Sequence, residues 1–352
     1  MVKTFHVTLH PSGHEFDVIR GKTVLTAALE AGYHIAYSCR SGTCGTCRAR
    51  LIEGNVEYNL SQAITTVEAG TALLCLAEPA SDLVLEVEEL ALHLQPARQM
   101  PCRVKKVEKA APDVAIVTLR THYNDNLLYA AGQYIDFLLP DGKRRSYSIA
   151  TAPALEGPMM DIDLHIRHLP GGLFTERVFG SLKAGEILRF EGPLGTFYLR
   201  EESARPIIFL ASGTGFAPIK AIVEYALRRN IERPMRLYWG GRLRRDIYGF
   251  ELAESWAGSH EHFDFVPVLS DPLPEDEWHG RSGLVHRAVM EDYPDLSGFD
   301  VYACGNPAMV DAARTDFVRR GLPSEHFYAD SFITEAERSR SALEATPSTE
   351  AQ

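Results

Sequence analysis

Four cysteines in the first quarter of the chain have a spacing that suits an iron–sulfur cluster. Three lie in one short loop, in the pattern C-x4-C-x2-C, and the fourth follows in the run L-L-C-L-A: Cys39, Cys44, Cys47 and Cys75. Four thiolates at this spacing can converge on the two irons of a 2Fe–2S cluster. Gly42 and Gly45 let the loop backbone adopt φ angles that other residues resist, so that it can curl around the sulfides. We therefore predict that these four cysteines ligate a 2Fe–2S cluster.

Zinc binding and disulfide formation are the alternative uses of these cysteines. Zinc sites are usually built from paired C-x2-C knuckles, whereas this sequence has one such pair, Cys44 and Cys47. Disulfides are disfavoured because the chain opens with M-V-K-T-F-H-V-T, which does not read as a secretory signal. The small residues Ser41, Thr43 and Thr46 leave backbone amides free to hydrogen-bond cluster sulfur and so to tune its reduction potential. The iron–sulfur interpretation is preferred.

The segment R-R-S-Y-S, from Arg144 to Ser148, carries a second pattern that suits a cofactor. It resembles the flavin signature R-x-Y-S of the ferredoxin–NADP reductase superfamily. The resemblance implies that Arg145 offers a planar cation to a pyrophosphate and that Tyr147 offers an aromatic face to the isoalloxazine. Ser148 would place a hydroxyl or an amide near flavin N5, and Ser146 completes the predicted flavin-binding strand.

A glycine turn downstream strengthens the flavin interpretation. The residues concerned are Leu164, His165, Ile166, Gly171, Gly172 and Thr175. In the superfamily that the sequence resembles, a G-G-x-x-[ST] turn starts a helix whose amides hold the phosphates of the flavin nucleotide, as helix N-termini can. A plain hairpin turn is the alternative, and the neighbouring R-x-Y-S makes flavin binding the preferred interpretation. Thr175 stands where serine is more common and preserves the hydroxyl.

A third pattern predicts a nucleotide site in the second half of the chain. The apolar run P-I-I-F-L-A is followed by S-G-T-G-F-A-P, which contains Gly213, Thr214, Gly215 and Pro218. A strand, a glycine loop and a helix in this order form a phosphate-binding turn in a parallel sheet. The alternative is that these glycines only relieve steric crowding after a strand. Because Pro218 occupies the third glycine position of G-x-G-x-x-G, the turn resembles the G-[TG]-G-x-[AT]-P element of the same reductase superfamily more than the standard dinucleotide motif.

Two further runs resemble elements of the superfamily that lie at the reacting rings. The run C-G-N-P-A-M places Cys304 and Gly305 where C-G-x-P-x-M has its cysteine beside the nicotinamide. A buried structural thiol is the alternative for Cys304, since free cysteine is usually buried. The run F-Y-A-D-S-F ends in Phe332, where the superfamily has an aromatic residue that approaches the flavin, and a place in the core is the alternative. The resemblance implies that Ser148, Cys304 and Phe332 lie at the site of hydride transfer.

The residues after the predicted strand 235–239 bear on the choice of nicotinamide nucleotide. Gly241 and Arg242 are predicted to contact the nucleotide. The acidic residue that binds the ribose of NAD in a Rossmann site is missing, and Arg242, Arg244 and Arg245 stand where they could accept a 2′-phosphate. The D-I-Y run that follows matches the D-x-Y element of NADH-dependent oxygenase reductases. NADH is therefore the preferred donor, and NADPH is the alternative.

The bulk composition is that of a soluble globular protein of two to three domains. The chain has 352 residues, of which 45% are hydrophobic and 24% charged. Its net charge of −11 disfavours nucleic acid and anionic membranes as the main partners. We find no apolar run of 18 residues, the length at which a stretch becomes a transmembrane candidate. A cytoplasmic protein is expected, because six cysteines with four committed to a cluster suit a reducing compartment. A monomer is also expected.

Three units are predicted to position these residues. Residues 1–95 contain a hairpin, a helix from Thr23 to Ala31 and a strand from Arg48 to Glu53, which together resemble the β-grasp (α+β) fold of plant-type ferredoxins. Residues 96–203 contain spaced strands with Gly/Pro turns, which predict an antiparallel β-barrel for the flavin. Residues 204–334 alternate strands and helices, which predicts an α/β parallel-sheet nicotinamide domain. The polar segment 92–100 is predicted as a linker, and 335–352 as a disordered tail.

The order of the three units resembles the reductase components of bacterial multicomponent oxygenases, such as those of phenol hydroxylase, methane monooxygenase and benzoate dioxygenase. The resemblance implies electron flow from NADH to FAD, then to the 2Fe–2S cluster, then to a separate terminal oxygenase. A flavin is needed between the other two because it exchanges electrons both in pairs and singly. The CDP-6-deoxy-glucoseen reductase of deoxysugar biosynthesis shares the layout and is one alternative. A redox sensor that uses the cluster as its signal is another.

Overall fold

The computed structural model describes residues 3–40, 42, 44–58, 67–90, 96–125, 127–157 and 159–332. These residues form two compact units, the first containing the described residues up to 90 together with Phe332, and the second containing those from 96 to 331. The predicted tail, 335–352, and residues 92–95 of the predicted linker lie outside the described residues. Within the described ranges, no helix is long and apolar enough to cross a membrane.

The first unit is a five-stranded sheet covered by one helix. Its elements are β1 (Thr4–His10), β2 (Glu15–Ile19), α1 (Val24–Glu30), β3 (Arg48–Glu53), β4 (Val56–Tyr58), β5 (Thr71–Leu73), β6 (Ala77–Pro79) and β7 (Leu83–Glu86). The strand order is β2-β1-β7-β3-β5, with β1 and β7 parallel and the other pairs antiparallel. Strands β4 and β6 form a separate antiparallel pair. The sequence predicted β3 with the bounds observed, whereas it did not predict the three-residue strands.

Helix α1 positions the segment that carries the fourth cysteine. The Thr23 side chain caps the helix by accepting a hydrogen bond from the Thr26 amide at 3.3 Å. The apolar face of the helix is buried against the sheet. At its first turn, the Leu25 amide donates to the Leu74 carbonyl at 2.9 Å. Because Leu74 immediately precedes Cys75, the helix fixes the position of that cysteine.

The second unit begins with a six-stranded antiparallel sheet and one helix. These are β8 (Arg98–Ala111), β9 (Val114–Arg120), β10 (Tyr134–Leu138), β11 (Arg144–Ser148), β12 (Asp161–Arg167), α2 (Leu173–Gly180) and β13 (Ile187–Leu194), in the order β11-β10-β13-β8-β9-β12. Strand β8 starts at Arg98, so the prediction of a linker reaching residue 100 was wrong at its end. The reason is visible in the burial pattern, because Met100, Cys102 and Val104 alternate into the core.

A six-stranded parallel sheet forms the rest of the second unit. Its elements are β14 (Ile207–Ser212), α3 (Phe216–Arg228), β15 (Met235–Gly241), α4 (Phe250–Ser259), β16 (Phe263–Leu269), β17 (Arg281–Ser282), α5 (Val285–Asp292), β18 (Asp300–Gly305), α6 (Pro307–Arg319) and β19 (Phe327–Ser331). The order is β17-β16-β15-β14-β18-β19. The chain therefore changes direction across the sheet between β14 and β18, and ligands of open α/β sheets bind at the carboxyl ends of such strands.

Helix α3 begins directly after the glycine loop, at Phe216. Pro218 is thus in the first helical turn, where an amide hydrogen would have no partner within the helix and its absence costs little. Short 3₁₀ turns lie at Tyr123–Asp125, Gly213–Gly215, Arg244–Asp246, Pro274–Asp276 and Ser324–His326. The turn at Gly213–Gly215 joins β14 directly to α3.

Candidate functional site: a thiol cluster and two nucleotide-binding edges

The four predicted cluster cysteines come together in the first unit. Cys39, Cys44 and Cys47 lie in the loop between α1 and β3. Cys75 lies just after β5, from which it is separated by Leu74. Cys44, Cys47 and Cys75 are buried and Cys39 is half-buried. The loop glycines have the expected positive φ angles, 77° at Gly42 and 70° at Gly45. The predicted amides of Ser41 and Thr43 lie outside the described residues.

The thiols are arranged as two pairs. A hydrogen bond with the Cys39 thiol, together with burial, raises the pKa of Cys44 well above its ordinary value. A hydrogen bond with Cys75, together with burial, does the same to the pKa of Cys47. Within the described residues, no three His, Cys, Asp or Glu side chains converge on one metal position. A 2Fe–2S cluster needs two thiolates on each of two irons, so a two-plus-two arrangement fits it better than it fits a single zinc ion. None of the six cysteines forms a disulfide.

Tyr58 is a neighbour of the cluster site that the sequence did not single out. Its hydroxyl accepts a hydrogen bond from the Leu73 amide at 3.1 Å, two residues before Cys75. No local pattern marks this contact, because the tyrosine and its partner belong to separate strands. Arg48, which directly follows Cys47 in the sequence, forms an ion pair with Glu68 at 2.8 Å.

The predicted flavin strands β11 and β12 are the two edges of the antiparallel sheet. They meet at one bridge, Ile149 with Leu164, next to which the Ala150 amide donates to the Asp163 carbonyl at 2.7 Å. Beyond this bridge, no ladder joins residues 144–148 to residues 165–167 in the described part of the chain. Apart from this bridge, the two edges therefore do not satisfy each other's backbone hydrogen bonds in the described part of the chain.

The side chains of β11 divide into those with partners and one without. Tyr147 packs against Phe137 and Phe174 at centroid distances of 5.9 and 5.5 Å, and burial raises its pKa. Ser146 donates to an Asp136 oxygen at 2.6 Å, so its hydroxyl is already engaged. The Ser148 hydroxyl is buried and has no hydrogen-bond partner within the described structure. A buried hydroxyl without a partner is costly, and a bound flavin would relieve that cost.

The three residues of β12 that were predicted to lie at the flavin site point to opposite faces of the sheet. Leu164 and Ile166 belong to the hydrophobic core of the antiparallel sheet. Their contact with a cofactor is therefore limited to their backbone. His165 points to the other side, where its Nδ1 and the hydroxyl of Tyr248 share a hydrogen bond of 2.7 Å. Burial lowers the pKa of His165 to about 3, so the imidazole is neutral at physiological pH.

The two glycine amides in the turn before α2 already have hydrogen-bond acceptors within the chain. The Gly171 amide donates to a Glu176 carboxylate oxygen at 2.9 Å, and the Gly172 amide donates to the Leu169 carbonyl at 2.9 Å. The Thr175 hydroxyl is buried, donates to the same carbonyl at 2.9 Å and accepts from the Leu169 amide at 3.2 Å. Thr175 therefore holds the turn closed. The first amides of the helix after Gly172 have no partner within the helix, as at any helix N-terminus.

The glycine loop of the parallel sheet is shaped by β18. A Cβ atom on Gly215 would lie 2.1 Å from the Cys304 carbonyl oxygen, and one on Gly305 would lie 2.4 Å from the Ser212 hydroxyl. The same hydroxyl accepts a hydrogen bond from the Asn306 amide at 2.9 Å. The carboxyl ends of β14 and β18 thus approach so closely that only glycine fits. Thr214, between the two loop glycines, is half-buried.

Cys304 lies at this junction and is fully buried. Burial raises the pKa of its thiol well above the ordinary value, so the side chain is a neutral thiol. A neutral thiol can pack beside a ring but is a poor nucleophile. Cys102 is buried in the antiparallel sheet, where burial raises its pKa to about 12.

The loop after β15 is organised by a buried carboxylate. One Asp246 oxygen accepts from the Arg242 amide at 2.9 Å and from the Leu243 amide at 3.3 Å. Gly241 packs closely against Asp246. A Cβ atom on Gly241 would lie 2.9 Å from the Cβ atom of Asp246. The Arg242 side chain is exposed, whereas Arg244 pairs with Glu251 at 3.1 Å.

Arg167, at the end of β12, is a candidate that the sequence patterns did not assign. Its guanidinium lies over the glycine loop, with one nitrogen 2.8 Å from the position of a Cβ atom on Gly213. It forms an ion pair with Asp113 at 3.3 Å. Two of its nitrogen atoms are buried without a hydrogen-bond partner among the described residues. Phe332 directly follows β19 and is half-buried, and its approach to the flavin stays a prediction.

Comparison with known proteins covers all three predicted units. Residues 7–80 match the family described as "2Fe-2S iron-sulfur cluster binding domain". Residues 101–198 match "Oxidoreductase FAD-binding domain", and residues 209–315 match "Oxidoreductase NAD-binding domain". The matched families account for each of the three cofactors that the sequence predicted.

Relatives with this layout are similar over nearly the whole chain. The CDP-6-deoxy-L-threo-D-glycero-4-hexulose-3-dehydrase reductase of Yersinia pseudotuberculosis is 43% identical over 335 residues, which are 94% of this chain and 99% of that protein. The reductase component of phenol 2-monooxygenase from Pseudomonas sp. strain CF600 is 32% identical, covering 97% and 99%. The crystal structure of an Amycolatopsis cytochrome P450 reductase is 33% identical with a TM-score of 0.75, covering 94% and 99%. The chain therefore belongs to the family of NAD(P)H-dependent oxidoreductases that join a 2Fe–2S domain to FAD-binding and NAD-binding domains, the family of the reductase components of oxygenase systems.

Proposed function

We propose that this protein takes electrons in pairs from NADH and passes them singly, through FAD and a 2Fe–2S cluster, to a separate acceptor protein. The paired thiols of the first unit carry this proposal, since a reductase that served only two-electron acceptors would not need an iron–sulfur cluster. When bound, FAD supplies the exchange between two-electron and one-electron chemistry. The fold that we infer combines a β-grasp ferredoxin domain, an antiparallel β-barrel and a parallel α/β domain.

The residues of this chain hold and orient the cofactors. Cys39 and Cys44 would ligate one iron, and Cys47 and Cys75 the other. For FAD, Arg145 would face the pyrophosphate and the unpartnered hydroxyl of Ser148 would donate to the isoalloxazine. The helix start after Gly171 and Gly172 would face phosphate. No general acid or base is required by this chemistry.

For the nicotinamide nucleotide, the loop Gly213–Gly215 would approach the diphosphate closely with its backbone. Arg167 would supply the cation, because its guanidinium lies over Gly213 and two of its nitrogens lack a hydrogen-bond partner in the described structure, although one of them, Nε, also forms the ion pair with Asp113. Cys304 and Gly305 would lie beside the nicotinamide, and Phe332 would cover the flavin. Gly241 and Arg242 would bound the ribose end. NADH is proposed as the donor, and the engagement of Arg244 with Glu251 leaves one cation fewer for a 2′-phosphate.

The acceptor is proposed to be a terminal oxygenase. A second candidate is a deoxysugar dehydrase, favoured by one observation: the relative named as a hexulose dehydrase reductase is 43% identical, against 32% for the phenol monooxygenase component over a similar span. We further propose a cytoplasmic monomer. The cytoplasmic location is supported by the cysteine usage, because six cysteines with four committed to a cluster suit a reducing compartment.

The test is an anaerobic titration of the cofactor-loaded protein, first with NADH and then with NADPH, followed through the flavin and iron–sulfur absorbance. Both bands should bleach with NADH at lower concentration than with NADPH. Addition of an oxygenase or a dehydrase should then reoxidise both centres, and the acceptor with the higher rate is the partner class. Protein that holds flavin but no iron after anaerobic reconstitution would overturn the proposal.

A further inference from the structure

A hydrogen bond inside the second unit joins the predicted flavin strand to the predicted nicotinamide loop. His165 on β12 and Tyr248, which follows the β15 loop, share it at 2.7 Å between the hydroxyl oxygen and Nδ1. His165 is buried, and Tyr248 is partly buried. The contact therefore spans the antiparallel and the parallel sheets at the edge where both cofactor sites were predicted.

The ring of Tyr248 is fixed by two aromatic residues of the parallel sheet. It meets Trp239, near the end of β15, edge-on at 5.3 Å and 89°, and it meets Phe216, the first residue of α3, at 6.1 Å and 80°. Phe216 and Trp239 stack on each other at 3.8 Å. Phe216 begins α3 directly after Gly213–Gly215, and Trp239 lies near the end of β15. The position of the Tyr248 hydroxyl is therefore coupled to the positions of both the glycine loop and the β15 loop.

The hydroxyl also lies within electrostatic range of the other candidate groups. Burial is the main cause that raises the pKa of Tyr248, Arg167 opposes the rise, and Cys304 adds to it. Since His165 has a pKa of about 3, the bond joins two neutral groups over the whole physiological range. Its strength is therefore set by geometry and not by protonation.

We propose that the hydrogen bond between His165 and Tyr248 is a positioning contact that holds the flavin strand in register with the nicotinamide-binding loops and thereby sets the rate of flavin reduction by NADH. The inference rests on the proposed function. In the step concerned, NADH loses two electrons as a hydride and FAD accepts them. Such a transfer needs the reacting atoms at about 3–3.5 Å, and a displacement of roughly 1 Å can cost on the order of a hundredfold in rate.

The experiment is anaerobic stopped-flow reduction of the FAD- and cluster-loaded protein by NADH. Tyr248→Phe removes one hydroxyl and keeps the ring in its aromatic surroundings. We expect the limiting rate of flavin reduction to fall about tenfold or more, with the Kd for NADH and the FAD content changed less than about twofold. The matched control is Tyr238→Phe, which removes a hydroxyl that bonds Asp292 at 2.5 Å within the parallel-sheet region. It should lower thermal stability and leave the limiting rate unchanged.

A double-mutant cycle separates positioning from general destabilisation. His165→Leu should lose as much rate as Tyr248→Phe, and the double variant should lose no more than either. His165→Asn, whose amide can take the place of Nδ1, should recover part of the rate. Equal rates in wild type and Tyr248→Phe, or additive losses in the double variant, would overturn the inference. If the wild-type flavin is not reduced by NADH at all, the proposed function itself has failed.

Discussion

Gly215→Ala tests whether the close approach of β14 and β18 forms the nicotinamide site. The added Cβ would lie 2.1 Å from the Cys304 carbonyl oxygen and 2.7 Å from the Gly305 Cα. Both neighbours are backbone, so neither can rotate away. Carbon–carbon and carbon–oxygen contacts settle near 3.5 Å, and the two strand ends must therefore separate by roughly 1 Å.

The magnitude follows from that separation. Overpacking of this kind costs about 1–3 kcal/mol of unfolding free energy. A shift of roughly 1 Å where the nicotinamide is expected should also slow flavin reduction by on the order of a hundredfold. The cluster spectrum should stay intact, because all four cysteines lie in the other compact unit. Urea unfolding measures the first effect, and anaerobic stopped-flow reduction by NADH measures the second.

Two other glycines give matched controls. A Cβ on Gly213 would meet the end of the Arg167 side chain, which can move, although the φ of 53° adds strain. Gly213→Ala should therefore cost less stability than Gly215→Ala. Gly258 lies in helix α4 with open space around its Cβ position, so Gly258→Ala should stabilise the fold by about 0.5–1 kcal/mol. Wild-type stability and rate in Gly215→Ala would refute the reasoning.

Three further predictions test separate parts of the molecule. Cys75→Ser should lose the 2Fe–2S absorbance while NADH still reduces the flavin, and an unchanged iron–sulfur spectrum would remove Cys75 from the ligand set. Thr175→Ala should cost about 1–2 kcal/mol, because it leaves the Leu169 amide without its hydrogen-bond partner and removes one of the two donors to the Leu169 carbonyl. Thr175→Ser should keep most of that stability, and equal urea midpoints for the two variants would contradict this. For His165, folding lowers the pKa from 6.5 to about 3, so the stability that its neutral form contributes is present above pH 6.5 and falls as the pH drops toward 3. The unfolding free energy should fall by about 1.4 kcal/mol per pH unit in that window. In His165→Asn it should fall less steeply with pH. Identical slopes in wild type and His165→Asn would refute this prediction.

Much of the framework could be predicted because it depends on short-range patterns. The cysteine spacing and the two loop glycines fix the cluster loop, and strand β3 was predicted with its observed bounds. Strand β14 of the parallel sheet was found because it is a continuous apolar run that leads into the glycine loop. Such strands are buried on both faces and leave a strong signal in the sequence.

The side-chain arrangement at the site could not be predicted, because it depends on residues that are distant along the chain. Nothing near Gly171 shows that the Glu176 carboxylate occupies its amide, and nothing near Gly213 shows that Arg167 lies over it. Tyr248 is 83 positions away from His165. A motif identifies which residues lie near one another. Which of their polar groups have hydrogen-bond partners within the chain is decided by packing.

The Ser148 hydroxyl makes a prediction about the protein prepared without FAD (empty) and with FAD (loaded). It is buried and has no hydrogen-bond partner within the described residues, and such a group costs about 1–3 kcal/mol. Ser148→Ala should therefore stabilise the flavin-free protein by about 1 kcal/mol and weaken FAD binding, so that FAD raises the unfolding temperature less than in wild type. Ser146→Ala is the control two residues away, because its hydroxyl already donates to Asp136. That variant should destabilise the empty and loaded proteins equally. If Ser148→Ala lowers the stability of both forms by the same amount, the hydroxyl has a protein partner and does not face the flavin.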